Sequence, residues 1–180
     1  MPAEKDMDAV ALLKADHRKV EGLFEKFEAS KGESAKQKLA QQICMELSIH
    51  ARIEEEIFYP ACTGAIEDAE LVDEAYVEHD GAKVLIAEIV GSEPSEHFYD
   101  AKVKVLSELI KHHVKEEEKR SEGLFAEAKE AGLDMDALGQ QLLQRKKELM
   151  AEYKSALPAP ETRSFTGHKL KQGQPIGEAA

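Results

Sequence analysis

Residues 39–60 read Leu39-Ala-Gln-Gln-Ile43-Cys-Met-Glu-Leu47-Ser-Ile-His50-Ala-Arg-Ile-Glu54-Glu-Glu-Ile57-Phe-Tyr-Pro60. Leu39, Ile43, Leu47 and Ile57 recur at helical spacing, and His50 and Glu54 fall on the same stripe. One face of one helix therefore carries both packing residues and two polar groups. No period-two alternation runs through the stretch, which excludes a strand. The helix is expected from about Ser34 to Tyr59, with Pro60 stopping or kinking it, because the proline ring clashes with the preceding turn and supplies no N–H.

The same pattern recurs on both sides. Between about Asp8 and Ser30, Val10, Leu13, Val20, Phe24 and Phe27 follow three- and four-residue steps, and the member between Leu13 and Val20 is His17. From about Glu67 to Val90 the stripe is Val72, Ala75, His79, Ala82, Ile86 and Ile89. From near Ser95 it is Tyr99, Val103, Leu106, Ile110, His113 and Glu117. Four long helices with short connections predict an all-α chain, an up-down-up-down four-helix bundle with polar groups from every helix aimed at a shared axis. Gly32 is expected to end the first helix in a left-handed conformation, and the fourth to run on to Glu130 and close at Gly132. An additional short helix from Met135 to about Tyr153 starts at Asp134, a good N-cap. The aperiodic segment from Pro158 predicts a flexible C-terminal tail over 158–180 behind a domain of residues 1–157.

Composition narrows the function classes. A chain of 180 residues, 42% of them hydrophobic, can bury a core and is not disordered throughout. Its 36 acidic against 24 basic residues give a net charge of −12, which opposes nucleic acid and anionic lipid as partners. No apolar run approaches the roughly 20 residues of a bilayer span, and the opening Met-Pro-Ala-Glu-Lys-Asp lacks the apolar core of a secretion signal. A cytoplasmic location is expected. Cys44 and Cys62 allow at most one bridge and have no zinc-knuckle spacing, which fits a reducing compartment. Cys44 reads as a small packed residue and Cys62 as a loop residue.

Six ionisable groups on core stripes need compensation, because burying each one bare costs several kcal/mol and their sum exceeds the ~5–15 kcal/mol stability of a domain. Imidazole and carboxylate together are a ligand set for iron, zinc, manganese or copper. A histidine with a glutamate four residues on presents both to one side of a helix. That pair occurs twice, as His50-Ala-Arg-Ile-Glu54 and His113-Val-Lys-Glu-Glu117, which suggests two metals bridged by two glutamates. His112 shares the register of Leu109 and Glu116 and flanks the core; His97 and His168 read as solvated. Glu55, Glu56, Glu116 and Glu118 read as a solvated acidic face.

In order, His17, His50xxxGlu54, His79 and His113xxxGlu117 resemble the hemerythrin-like family, the HHE cation-binding domain. Asp16-His17-Arg18, the run from His50 to Pro60, Glu78-His79-Asp80, His112 to Glu118 and Ala131-Gly-Leu-Asp134 are all similar to that family's signatures, over about residues 8–153. The resemblance implies a non-haem di-iron centre of two iron ions, oxo- or hydroxo-bridged. His17, His50, His79 and His113 would be terminal metal ligands and Glu54 and Glu117 bridges. Two departures stand out. Where oxygen-carrying hemerythrins have a further histidine, this chain has Ala75, one turn before His79. Phe58 follows Glu54 by four residues, whereas Phe125 follows Glu117 by eight, which predicts a fourth helix one turn longer past the site.

Against two octahedral irons, the four histidines, the two bridging glutamates and an oxo or hydroxo bridge together leave about two positions open. The expected function is therefore binding or sensing of dioxygen, nitric oxide or peroxide at the di-iron centre. The alternatives are a di-iron peroxidase or catalase-like enzyme, or an iron-homeostasis protein. Ferritin-like storage is disfavoured, since Glu-x-x-His ligand pairs are absent. No protein partner follows from the sequence, although Arg163, Phe165 and Lys169 of the tail are available to one.

Overall fold

The computed structural model describes residues 7–154 and 156–165. It is built from α1 (Ala9–Ala29), α2 (Glu33–Ile53), a π-helical turn (Glu54–Phe58), α3 (Tyr59–Cys62), α4 (Glu70–Val90), α5 (Tyr99–Glu117), α6 (Leu124–Glu130) and α7 (Met135–Glu152). Among the described residues there is no strand, and no helix is long and apolar enough to cross a membrane. Two starts are fixed by side-chain caps: Asp8 accepts from the Ala11 N–H at 2.7 Å and Asp134 from the Ala137 N–H at 2.9 Å. Each satisfies a donor that the first helical turn leaves free.

α1 packs on α2, α2 on α4, α4 on α5, and α5 returns to α1, so the four long helices surround one axis. Apolar residues fill that axis in two blocks. One holds Leu12, Ile53, Phe58, Leu124 and Leu142, the other Phe24, Ile43, Ile86, Tyr99 and Leu106. Each such side chain stabilises the fold by about 1.5–3 kcal/mol on burial. His17, His50, His79 and His113 are buried with them on the same four helices. α7 lies against α1, α2 and the π-helical turn. The contact is so close at Gly139 that a Cβ there would stand 2.7 Å from the Met7 carbonyl oxygen, which is why the position has no side chain.

Several sequence expectations need correction. Pro60 does not stop the second helix: it sits in the first turn of α3, directly after the π-helical turn, and the rod runs on to Cys62. Cys62 is accordingly a fully buried helical residue, not a loop residue. Gly32 has φ −103° and precedes α2 as its N-cap, with no left-handed conformation. Gly132, with φ +75°, does adopt it after α6. The fourth helix does not run to Glu130. α5 ends at Glu117, the chain turns through residues 118–123, and α6 begins at Leu124. Gly123 crosses the end of α5 so closely that a Cβ would meet the Glu117 carbonyl oxygen at 2.6 Å.

Of the segment expected to be a flexible tail, residues 158–165 are described and are not helical. They are anchored to α4: the N–H groups of Arg163 and Ser164 and the Ser164 hydroxyl donate to Asp80 Oδ2 at 2.7, 2.5 and 2.7 Å. The Arg163 guanidinium lies over the Tyr76 ring at 5.0 Å. Residues 166–180, with His168 and Lys169, lie outside the described residues.

Candidate metal centre

α1 supplies His17, α2 His50, the π-helical turn Glu54, α4 His79, and α5 both His113 and Glu117; all six are buried. The six stripe residues are thus brought together. His17 Nε2 and His50 Nε2 are 3.0 Å apart, and His79 Nε2 and His113 Nε2 are 3.2 Å apart. Each glutamate joins the two pairs. Glu54 Oε2 lies 3.2 Å from His50 Nε2 and 3.4 Å from His79 Nε2. Glu117 Oε2 lies 3.4 Å from His17 Nε2 and 3.5 Å from His113 Nε2. Two donor groups result, each with its atoms within 4.8 Å of one another: His17, His50, Glu54 and Glu117, and Glu54, His79 and His113. They share Glu54, as a bridging carboxylate requires.

With every Nε2 turned inward, every Nδ1 faces a carboxylate. His17 Nδ1 is 2.8 Å from Glu118 Oε1, His79 Nδ1 3.0 Å from Glu55 Oε1, and His113 Nδ1 2.8 Å from Glu78 Oε2. His50 Nδ1 faces Asp16 Oδ2 at 3.6 Å, too far for a hydrogen bond. Such partners fix which nitrogen carries the proton and hold the ring in place for a metal. Here the solvated-face reading of Glu55 and Glu118 is overturned. Glu55 is buried and also takes Lys83 Nζ at 2.7 Å, while Glu118 takes Arg18 as well as His17. Asp16 in turn receives buried Lys146 of α7 at 2.6 Å. His112 behaves as expected: its side chain is 64% exposed and it touches only the rim, 3.4 Å from Glu78.

Tyr59 is the residue that sequence reasoning missed. Its hydroxyl lies 3.1 Å from His79 Nε2, 3.1 Å from Glu117 Oε1 and 3.4 Å from Glu54 Oε2. The π-helical turn puts it there: the Tyr59 N–H bonds to the Glu54 carbonyl five residues back, so residues i and i+5 share a face. Ala75, one turn before His79, packs in the same core block as Tyr59. The Phe125 ring stacks on His17, centroids 5.9 Å apart, and meets Phe58 edge-on at 5.6 Å.

The electrostatics fit a cation. Burial disfavours an imidazolium at His79, yet Glu54 and Glu55 raise its pKa to about 9; His50 is raised too, against burial, by Glu54 and Asp16. Burial takes His17 down to about 4. Burial also opposes the Glu54 carboxylate, but the surrounding imidazoles hold its pKa low, while burial and the Glu54 charge push Glu117 up. Among the described residues, Glu54 Oε1 and Glu117 Oε2 are buried without a hydrogen-bond partner. Uncompensated carboxylate oxygens in a core are costly unless a proton or metal meets them.

The chain is similar to known proteins in fold and family. A protein described as a DNA nickase from Nostoc sp. is 30% identical over 115 residues, 64% of this chain, which spans about a third (32%) of that relative's length. The crystal structure of a hemerythrin HHE cation-binding domain-containing protein from Mycobacterium kansasii, a homologue of Rv2633c, shares the fold. Its TM-score is 0.69 at 21% identity, covering 81% of this chain and 89% of the other. The model of the family described as hemerythrin HHE cation binding domain matches residues 8–128, a span that contains every one of the six converging ligand-type residues. The chain belongs to the hemerythrin HHE cation-binding domain family.

Proposed function

We propose that this chain holds two iron ions between the His17/His50 and His79/His113 pairs and there binds dioxygen, nitric oxide or peroxide, in the cytoplasm. One observation carries the reading. Two donor groups share Glu54, and three of the four histidines are hydrogen-bonded through Nδ1 to a carboxylate. When bound, the metal pair supplies Lewis acidity and redox change. The chain supplies the rest. Glu118, Glu55 and Glu78 orient His17, His79 and His113, and Phe125 and Phe58 pack beside them to exclude water. Tyr59 holds a proton at its hydroxyl oxygen.

That hydroxyl favours a peroxide-decomposing enzyme over a plain carrier, because cleaving an O–O bond requires a proton for the departing oxygen. The nickase activity named for the Nostoc protein is not carried over. This chain spans a third of that protein, and its net charge of −12 opposes approach to a duplex. The test is elemental analysis and an absorption spectrum of protein made aerobically in iron-rich medium. About two irons per chain and near-ultraviolet charge-transfer absorption are expected. Protein without iron would overturn the reading.

A further inference from the structure

The four imidazoles open into a cavity of about 420 Å³. Beside the imidazoles and the buried carboxylates Asp16 and Glu55, its inner lining has an apolar stretch, with Val20 of α1, Leu47 of α2, and Ala82 and Ile86 of α4. Its outer wall is Tyr153 and the segment Pro158–Glu161, which the Arg163 and Ser164 contacts to Asp80 tie down. A diatomic or hydrogen peroxide needs no more than the share of one or two waters, roughly 30–60 Å³, whereas about 150 Å³ already admits benzene. Most of the space is therefore surplus to the smallest ligands and of a size that organic molecules occupy.

Charge at the rim narrows the class. Lys83 is held by Glu55 at 2.7 Å and Asp80 at 3.1 Å, and Arg145 by Glu56 at 2.6 Å. Arg52 is held by Glu56 as well. These cations are matched by carboxylates of the chain itself, so the rim suits a neutral molecule better than an anion. We infer that the cavity binds a neutral organic hydroperoxide, its apolar body along Val20, Leu47, Ala82 and Ile86 and its O–O end at the imidazoles. This deepens the metal-centre reading and rests on it.

The binding half of the inference can be tested without metal. Metal-free full-length protein is titrated with 2-phenyl-2-propanol, the alcohol corresponding to cumene hydroperoxide, by calorimetry. Saturable binding of one molecule per chain is expected, weakened at least about tenfold by Ala82→Phe, which fills the inner wall. Ala51→Phe, on the half-buried face of α2 at the same cavity, serves if Ala82→Phe does not fold. In the iron-loaded protein supplied with both peroxides, cumene hydroperoxide is expected to be reduced to 2-phenyl-2-propanol and water, with hydrogen peroxide as the two-electron reductant, itself released as dioxygen. The rate of this reaction relative to hydrogen peroxide disproportionation is expected to fall about tenfold in the filled variant. Absence of saturable alcohol binding, or consumption of hydrogen peroxide alone, overturns this inference and leaves the metal centre standing. Alcohol binding by protein that takes up no iron overturns the metal centre instead.

Discussion

The Tyr59 hydroxyl has one proton and three acceptors within 3.4 Å, so it donates to one of them at a time. Burial, reinforced by Glu117 and Glu54, lifts its pKa well above 10, and the proton stays on the oxygen at neutral pH. Tyr59→Phe keeps the ring against Tyr76 and removes only the hydroxyl. It is expected to cost about 1 kcal/mol in chemical denaturation, retain its iron, and lose peroxide consumption by about a hundredfold if the hydroxyl is the acid. Unchanged consumption would place the proton source in water. The neighbours His112 and His113 make a second comparison at this scale, since both reach Glu78 but their side chains are 64% and 4% exposed. Elemental analysis should find His113→Ala depleted of metal and His112→Ala unaffected, with stability within about 0.5 kcal/mol of the parent. Equal depletion would mean that the wrong member of the pair faces the site.

At the scale of elements, the four long helices and the six converging residues were legible because each stripe advances by the regular 100° per residue. Tyr59 was not, because five regular steps from Glu54 would carry it to another face. Only the wider π-helical turn, which no residue type announces, brings it back. Glu55 and Glu118 were misread for a different reason. Each lies in an acidic run and finds its histidine on another helix, 24 and 101 residues away in sequence. The break after α5 has no proline, and its one glycine, Gly123, comes six residues after Glu117. The periodicity of α7 marked it as a helix, but its docking depends on Lys146, a residue type that rarely enters a core. Lys146 is 4% exposed and meets Asp16, whose pKa stays low against burial through His50 and Lys146. Lys146→Ala should cost about 3–5 kcal/mol, because it strips a partner from a buried carboxylate. Denaturant melts read this directly, and a loss under about 1 kcal/mol would show that water replaces the ammonium.

For the whole molecule, the proposed centre would set protons and metal in competition for one carboxylate-rich core inside a chain whose net charge is already −12. In the metal-free protein, His79 titrates at about 9 and His50 above its ordinary 6.5, both against burial and because carboxylates surround them. A pKa raised by folding contributes stability that is complete below the unfolded value and is lost as pH climbs through the folded one. Between pH 6.5 and about 9 the metal-free fold should therefore weaken steadily. Glu117, raised by burial and by Glu54, loses its contribution in the same direction from lower pH. His17 works the other way: burial lowers it to about 4, so its share is lost as pH falls from 6.5 towards 4. On the proposed ligation, bound metal would take the place of the protons on His50 and His79, and the loaded protein would escape the alkaline loss. The gap in Tm between iron-loaded and metal-free samples should then widen from pH 6.5 to 8.5, and metal uptake at neutral pH should release protons, measurable as a buffer-dependent heat. Melting curves that run parallel across this range would mean that the histidines keep their protons whether or not metal is present, and that they are not its ligands.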